Sequence, residues 1–274
     1  MPTKILSIIT VNKNNALGLE KTIQSVIEQT SSNFEYIVID GASNDISVAV
    51  IKKYTDKIDY WISEPDTGIY NAMNKGICKA QANYCLFLNS GDCLLSPETL
   101  ANVFKEIGEN NADVFYSDAT FPNGTTKSYD DTLTINYLLF NHINHQNSII
   151  KRSLFLNHSL YNENLLITSD HEFFLNELWK YKSKFYKIKT NISIYDLNGI
   201  SSNDSKLFNT EILIVYKNIF NELADIINEY RNFHKTIYYD VVQNNYDSKF
   251  LMCLVKIHRK ALKLKRKILS SLVY

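Results

Sequence analysis

No run of about 18 uninterrupted apolar residues occurs anywhere in the chain, so no transmembrane helix is expected. The apolar run after Met1-Pro2-Thr3-Lys4 lasts about five residues, too short for a signal-peptide core, and it reads as a buried strand. The four cysteines, Cys78, Cys85, Cys93 and Cys253, have no Cys-x-x-Cys spacing and no histidines at zinc-finger distances. That speaks against a structural zinc site and for small packed side chains in a thiol-reducing cytosol. Internal repeats and low-complexity tracts are missing as well. What remains is an ordinary soluble composition, 45% hydrophobic and 21% charged. Its length suits one large α/β domain with a C-terminal appendage, or two small domains.

The formal net charge is zero, yet acid is absent from the last stretch. Eight bases lie between Lys249 and Tyr274 (Lys249, Lys256, Arg259, Lys260, Lys263, Lys265, Arg266 and Lys267). Removing them from 29 bases leaves 21 against 29 acids, so the body carries −8 and the tail +8. Segregation of this kind points to a partner for the tail.

The first half alternates strand and helix patterns. Ile5–Val11 is a β-branched run suited to a strand covered on both faces. Leu19, Ile23, Val26 and Ile27 recur at helical spacing, and Tyr36–Asp40 is a second apolar run ending in a carboxylate. A helix through Ile46–Tyr54, a short strand at Tyr60–Ile62, a helix over Ile69–Ala80 and a strand at Tyr84–Leu88 follow. Pro97 opens a helix to about Ile107. Such an order predicts a parallel sheet with right-handed crossovers, whose ligands bind beyond the carboxyl ends of the strands. The polar residues gather at those ends: Thr10–Asn12, Asp40–Ser43, Asp66 and Asn89–Asp92. In the second half, Val114–Ser117 reads as a strand, Pro122-Asn123-Gly124 as a hairpin turn, and Ser148-Ile149-Ile150 as the end of another strand. A helix starts near Asp170, and the pattern is helical beyond about Lys206.

Taken alone, Asn89-Ser90-Gly91-Asp92 is a turn after a strand, with Gly91 for backbone freedom and Asp92 as a cap for the helix that follows. A carboxylate at a strand's end can also hold a hard divalent cation that neutralises a departing diphosphate. Four ordered stretches then carry a resemblance: Ser7–Asn12, Tyr36–Ser43, Ser63–Gly76 and Phe87–Asp92. They are similar to the inverting family 2 glycosyltransferases, and the third looks like the bacterial subgroup that builds capsule, exopolysaccharide and O-antigen repeat units. The likeness is dense over 4–95, patchy to about 205 and absent after it.

The resemblance implies the A-type glycosyltransferase fold, a Rossmann-like, mostly parallel central sheet flanked by helices, with a C-terminal helical extension. A catalytic domain would span 1–205, with the donor half at 1–95 and the acceptor half at 96–205, and the extension 206–274. Thr10, Val11 and Asn12 would line the base and ribose pocket, Asp40 would hydrogen-bond the base, and Asp66 would lie beside the nucleoside. Lys75 would face the phosphates or stand as a solvated helix residue. The family's Asp-any-Asp motif has its first acidic position filled by Asn89 or Ser90, leaving Asp92 as the lone carboxylate for manganese or magnesium, with Ser90 and Gly91 beside the donor. Asp170 in Ser169-Asp170-His171-Glu172 stands where the family has its general base; a helix N-terminal carboxylate favoured by the dipole is the plainer reading. Glu172 is the second candidate for that role, or a contact to acceptor hydroxyls. His145-Gln146 matches a recurrent pair that would meet acceptor or diphosphate, and His145 reads equally as a structural histidine. Leu197–Ser202 looks like a loop that closes over the donor.

Phe250, Leu254, Ile257, Ala261, Leu264, Ile268 and Leu272 make one apolar stripe flanked by cations. That is the pattern of a helix lying on an anionic membrane surface, with a dimer or capping helix as alternatives. The expected activity is transfer of a sugar from a UDP-linked donor to a hydroxyl of a glycan or lipid-linked acceptor, in the cytoplasm at the inner membrane face. A metal-dependent nucleotidyltransferase is the first alternative, but Val11–Asn15 lacks the glycine-rich basic loop it would favour. A non-catalytic scaffold recruited through the tail is the second. The acidic body speaks against nucleic acid as a partner.

Overall fold

The computed structural model describes residues 4–196 and 205–233. The chain divides into two compact units, 1–219 and 220–274. Of the second, the described part is a 3-10 turn at Asn221–Leu223 followed by helix over 224–233. The loop expected at Leu197–Ser202 and the basic tail from Lys249 lie outside the described residues.

The first unit opens with β1 (Leu6–Asn12), α1 (Ala16–Ile27), β2 (Phe34–Asp40), α2 (Ser47–Lys53), β3 (Tyr60–Ser63), α3 (Ile69–Lys79) and β4 (Tyr84–Phe87). Every residue of β1 is buried, as its β-branched run requires of a strand with helices on both faces. Leu19, Ile23 and Val26 face inward from α1, whose start is capped by Asn15 Oδ1 accepting from Gly18 N at 3.1 Å. There follow β5 (Cys93–Leu94), α4 (Thr99–Glu109), β6 (Val114–Tyr116), β7 (Ala119–Thr120), β8 (Thr126–Lys127), α5 (Ile135–Phe140), β9 (Ser148–Lys151) and α6 (Arg152–Asn157). Last come α7 (Ser169–Trp179), β10 (Phe185–Lys187), β11 (Ser193–Ile194) and α8 (Ser205–Phe220).

Seven strands form the main sheet in the order β10-β6-β9-β4-β1-β2-β3. All pairings are parallel except those of β9, which runs antiparallel to both β4 and β6. The parallel expectation therefore holds with one reversed strand. A small second sheet, β5-β11-β7-β8, lies beyond the end of β4 and includes the hairpin expected at Pro122–Gly124. The carboxyl ends of β1, β2, β3 and β4 form one rim, because β1, β2 and β3 pair in direct register from Ile9↔Ile37 to Asn12↔Asp40 and Asp40↔Ser63. Among the described residues, no helix is long and apolar enough to cross a membrane.

Candidate active site

Two clusters stand on the rim. The first joins the ends of β1, β2 and β3. Asp40 is fully buried, and its carboxylate accepts from Asn12 Nδ2 (2.7 Å), Ser43 Oγ (2.6 Å), Ser43 N (3.0 Å) and Ser63 Oγ (2.6 Å). Burial pushes this carboxyl up, but the four hydrogen bonds outweigh it and hold it below the usual range. All of its acceptor positions are filled, so Asp40 ties three strand ends together, and a base would have to displace one of these partners to reach it. Asn12 Oδ1, by contrast, is buried with no hydrogen-bond partner, and Thr10 Oγ1 pairs with Tyr36 OH at 3.0 Å. Val11 is buried between them in β1.

Asp66 leans over the end of β2. Its Oδ1 accepts from Gly68 N at 3.1 Å, and Lys13 Nζ stands 4.0 Å away. A Cβ on Gly41 would lie 2.1 Å from Asp66 Oδ2, so only glycine lets this carboxylate close over the strand end. Lys75 is placed elsewhere. Its ammonium holds Glu64 at 2.8 Å and the Pro65 carbonyl at 2.8 Å, lining a cavity of about 410 Å³ with Tyr60, Asn71 and Glu163.

The second cluster is built on the loop after β4. Gly91 has φ +112°, a conformation that favours glycine. Thr22 of α1 clamps the loop, accepting from Gly91 N at 2.9 Å and donating to the Asp92 carbonyl at 2.7 Å, while Asn15 Nδ2 donates to the Ser90 carbonyl at 3.0 Å. Asp92 is 2% exposed; it accepts from Asn89 N at 3.0 Å and from Asp196 N at 2.9 Å. Burial pushes its carboxyl up to about 6, against those two N–H bonds, the nearby His145 and a hydrogen bond from the Gln146 side chain.

Among the described residues, no three His, Cys, Asp or Glu side chains converge as a metal site. Two observations nevertheless fit a divalent cation, which Asp92 and Asn89 would hold. Asp92 is a buried carboxylate whose charge is poorly compensated, and Asn89 Oδ1 on the same loop is buried without a hydrogen-bond partner.

From this loop a line of hydrogen bonds leads to α7. Asn89 Nδ2 lies 3.1 Å from His145 Nε2, and His145 Nδ1 lies 2.8 Å from Asp170 Oδ2. With the amide donating to Nε2, the imidazole proton sits on Nδ1 and is donated to Asp170. Tyr70 OH donates to Asp170 Oδ1 at 3.0 Å. Burial pushes the Asp170 carboxyl up, but the hydrogen bonds from His145 and Tyr70, with the imidazole of His142 nearby, bring it below the usual range.

Glu172 stands one step behind Asp170. It accepts from Asn162 Nδ2 at 2.9 Å and Asn218 Nδ2 at 2.7 Å, so both oxygens are engaged with neighbouring segments. The structure thus brings Asn89, Asp92, His145, Gln146 and Asp170 together, sets Thr10–Asn12, Asp40 and Asp66 in a neighbouring cluster, and leaves Lys75 outside both. Sequence reasoning missed Tyr70. The signal was available: Tyr70 and Asn74 are polar-tipped residues four apart on the buried face of α3, and Asn74 Nδ2 reaches the Tyr161 carbonyl at 2.9 Å.

Comparison with known proteins agrees with this architecture. The model of Glycosyl transferase family 2 matches residues 7–216. An uncharacterized glycosyltransferase of Mycobacterium tuberculosis is 39% identical over 103 residues, which is 37% of this chain and only 39% of that relative's length. Poly(ribitol-phosphate) beta-N-acetylglucosaminyltransferase TarP of Staphylococcus aureus is 28% identical over 266 residues, 90% of this chain and 76% of TarP. S. aureus TarS in complex with UDP-GlcNAc superposes with a TM-score of 0.66 at 18% identity, over 79% of this chain and 67% of that one. The mannosyltransferase PcManGT from Pyrobaculum calidifontis, in complex with GDP-Man and Mn2+, superposes at 0.60 with 12% identity, over 94% and 80%. With its mostly parallel sheet, its polar strand-end rim and a family match over 7–216, the chain belongs to glycosyltransferase family 2 and has the A-type fold.

Proposed function

We propose that this glycosyltransferase moves a sugar, with inversion, from a UDP-linked donor to a hydroxyl of a glycan or lipid-linked acceptor in the assembly of a bacterial surface polysaccharide. The observation that carries the reading is the hydrogen-bonded line from Asn89 on the β4 loop through His145 to Asp170, a carboxylate held in its ionised range. The similarity to TarP and the UDP-GlcNAc complex of TarS support a UDP-sugar as donor.

In this mechanism the rim binds the nucleotide, with Thr10, Val11, Asn12 and Asp66 around the nucleoside. The unpartnered Asn12 Oδ1 is an acceptor suited to a donor group on it. Ser90, Gly91 and Gln146 border the diphosphate. A divalent cation held by Asp92, manganese or magnesium, would neutralise charge on that diphosphate. Asp170 takes the proton of the acceptor hydroxyl as its oxygen bonds to the anomeric carbon from the face opposite the diphosphate. The bond from that carbon to the diphosphate oxygen breaks, and its electron pair leaves with UDP.

Asp170→Asn removes the proton acceptor but keeps the side chain's shape. Turnover should fall by roughly 10²–10⁴ while UDP binding by calorimetry stays near wild type. Lost UDP binding with a folded protein would instead make Asp170 a structural residue. Asp92→Ala should abolish the manganese-dependent part of donor affinity, and full transfer activity in that variant would remove Asp92 from the donor site. The lipid-linked acceptor, the tail's role on an anionic membrane and a location at its cytoplasmic face belong to the same reading.

A further inference from the structure

The base carboxylate has very little freedom. An ionised carboxylate offers about four lone-pair positions, two on each oxygen. On Asp170, Oδ1 receives Tyr70 OH at 3.0 Å and the backbone N–H of His171 at 2.9 Å, so both of its positions are filled. Oδ2 receives His145 Nδ1 at 2.8 Å and keeps one position. Each side-chain donor is itself anchored on a different element. Tyr70 is buried in the first turn of α3, its ring 5.4 Å from that of Tyr161. One turn later Asn74 exchanges two hydrogen bonds with the Tyr161 backbone, at 2.9 and 3.0 Å. His145 is held from behind by Asn89.

We infer that Tyr70 and His145 are positioning residues that leave Asp170 a single proton-accepting position, on Oδ2 beside His145, and so fix the direction from which the acceptor hydroxyl approaches. The inference rests on the reading of Asp170 as the base. It gives the stretch Ser63–Gly76 a second task besides the donor side: through Tyr70 it carries part of the acceptor chemistry.

The groups facing Asp170 are Tyr70 from α3, Tyr161 from the segment before α7, and His145 and His142 from the segment before β9. Burial keeps both tyrosine hydroxyls protonated well above their ordinary range, so Tyr70 remains a donor across the working pH. Removing a donor raises the carboxyl's proton affinity. A base works only when ionised, so the acid limb of the rate profile then moves to higher pH.

The test uses the full chain as Tyr70→Phe, His145→Ala, His145→Asn and Asp170→Asn. Asparagine at 145 keeps a donor near the Nδ1 position, whereas alanine does not. The Asp170 carboxyl is followed by ¹³C NMR with labelled aspartate, assigned by its absence in Asp170→Asn, and turnover is read as UDP release from UDP-GlcNAc. Expected are a carboxyl titration raised by roughly one unit and kcat lowered about tenfold in Tyr70→Phe and His145→Ala, with UDP affinity unchanged and recovery in His145→Asn. An Asp170 titration that does not move in Tyr70→Phe and His145→Ala overturns the inference, whatever the rates do. Wild-type turnover in Asp170→Asn overturns the base reading itself, so the two failures are distinguishable.

Discussion

Asp40 shows how a residue type at a strand end acquires its role from partners that lie far away in sequence. As a carboxylate ending an apolar run it is readable as a rim residue. Ser43, three residues on, fills two of its acceptors locally, but that Asn12 and Ser63 would fill the others depends on the pairing of β1 with β2 and of β2 with β3. Lys75 likewise takes its place from partners, its ammonium held by Glu64 and the Pro65 carbonyl. Asp40→Ala strands three side-chain donors and a backbone N–H, and it should destabilise the protein by about 2–4 kcal/mol at neutral pH. The folded pKa of Asp40 lies below its unfolded value, so its contribution is complete above about pH 4 and is lost as pH falls through the folded pKa. Urea denaturation of wild type and Asp40→Ala at several pH values should therefore give a gap that is widest near neutrality and closes in acid. A gap that widens on acidification would contradict the assignment.

At the scale of elements, what was legible had length and period. The fully buried run of β1, the helical spacing of α1 and α3, and the strand at β4 are all read correctly within a residue or two, because their patterns extend over several residues. The two-residue strands β5, β7, β8 and β11 carry no period, and only tertiary pairing makes them strands. The reversal of β9 is likewise a property of its neighbours. Helix α8 is the instructive case. Its helicity is legible, but its attachment to the catalytic unit, which continues to Ile219, turns on a side chain that meets distant backbone. Buried Glu211 accepts from Leu166 N (2.6 Å), Ile167 N (3.0 Å), Thr168 N (3.1 Å) and Thr168 Oγ1 (2.8 Å), the residues just ahead of Asp170. No local pattern announces a bond across more than forty positions. Glu211→Ala leaves three backbone donors without an acceptor and should cost about 3–5 kcal/mol, with amide exchange accelerated first at 166–168 and at the start of α7. Unchanged protection there in hydrogen exchange would deny α8 this bracing role.

For the whole molecule the governing feature is the separation of charge, about −8 on the body and +8 between Lys249 and Tyr274. A body of that sign is repelled by an anionic surface, and within a Debye length of about 10 Å at 0.1 M salt the repulsion is felt. A tail of +8 would reverse this. Near an anionic leaflet each lysine or arginine contributes about 1 kcal/mol, and an apolar stripe from Phe250 to Leu272 would add burial that salt does not screen. Binding that combines the two has a recognisable signature. Full-length protein should sediment with vesicles containing phosphatidylserine at 0.1 M salt and only weakly with neutral phosphatidylcholine vesicles. Raising salt to about 0.5 M should reduce binding without abolishing it, because only the electrostatic part is screened. Truncation after Ser248 should abolish it while leaving UDP binding intact, since the rim and both clusters lie within 1–219. Sedimentation that survives the truncation would assign membrane contact to the body. Full release by salt would leave the apolar stripe available for a protein partner, such as a second copy of the chain, and analytical ultracentrifugation of the full-length and truncated proteins would reveal that directly.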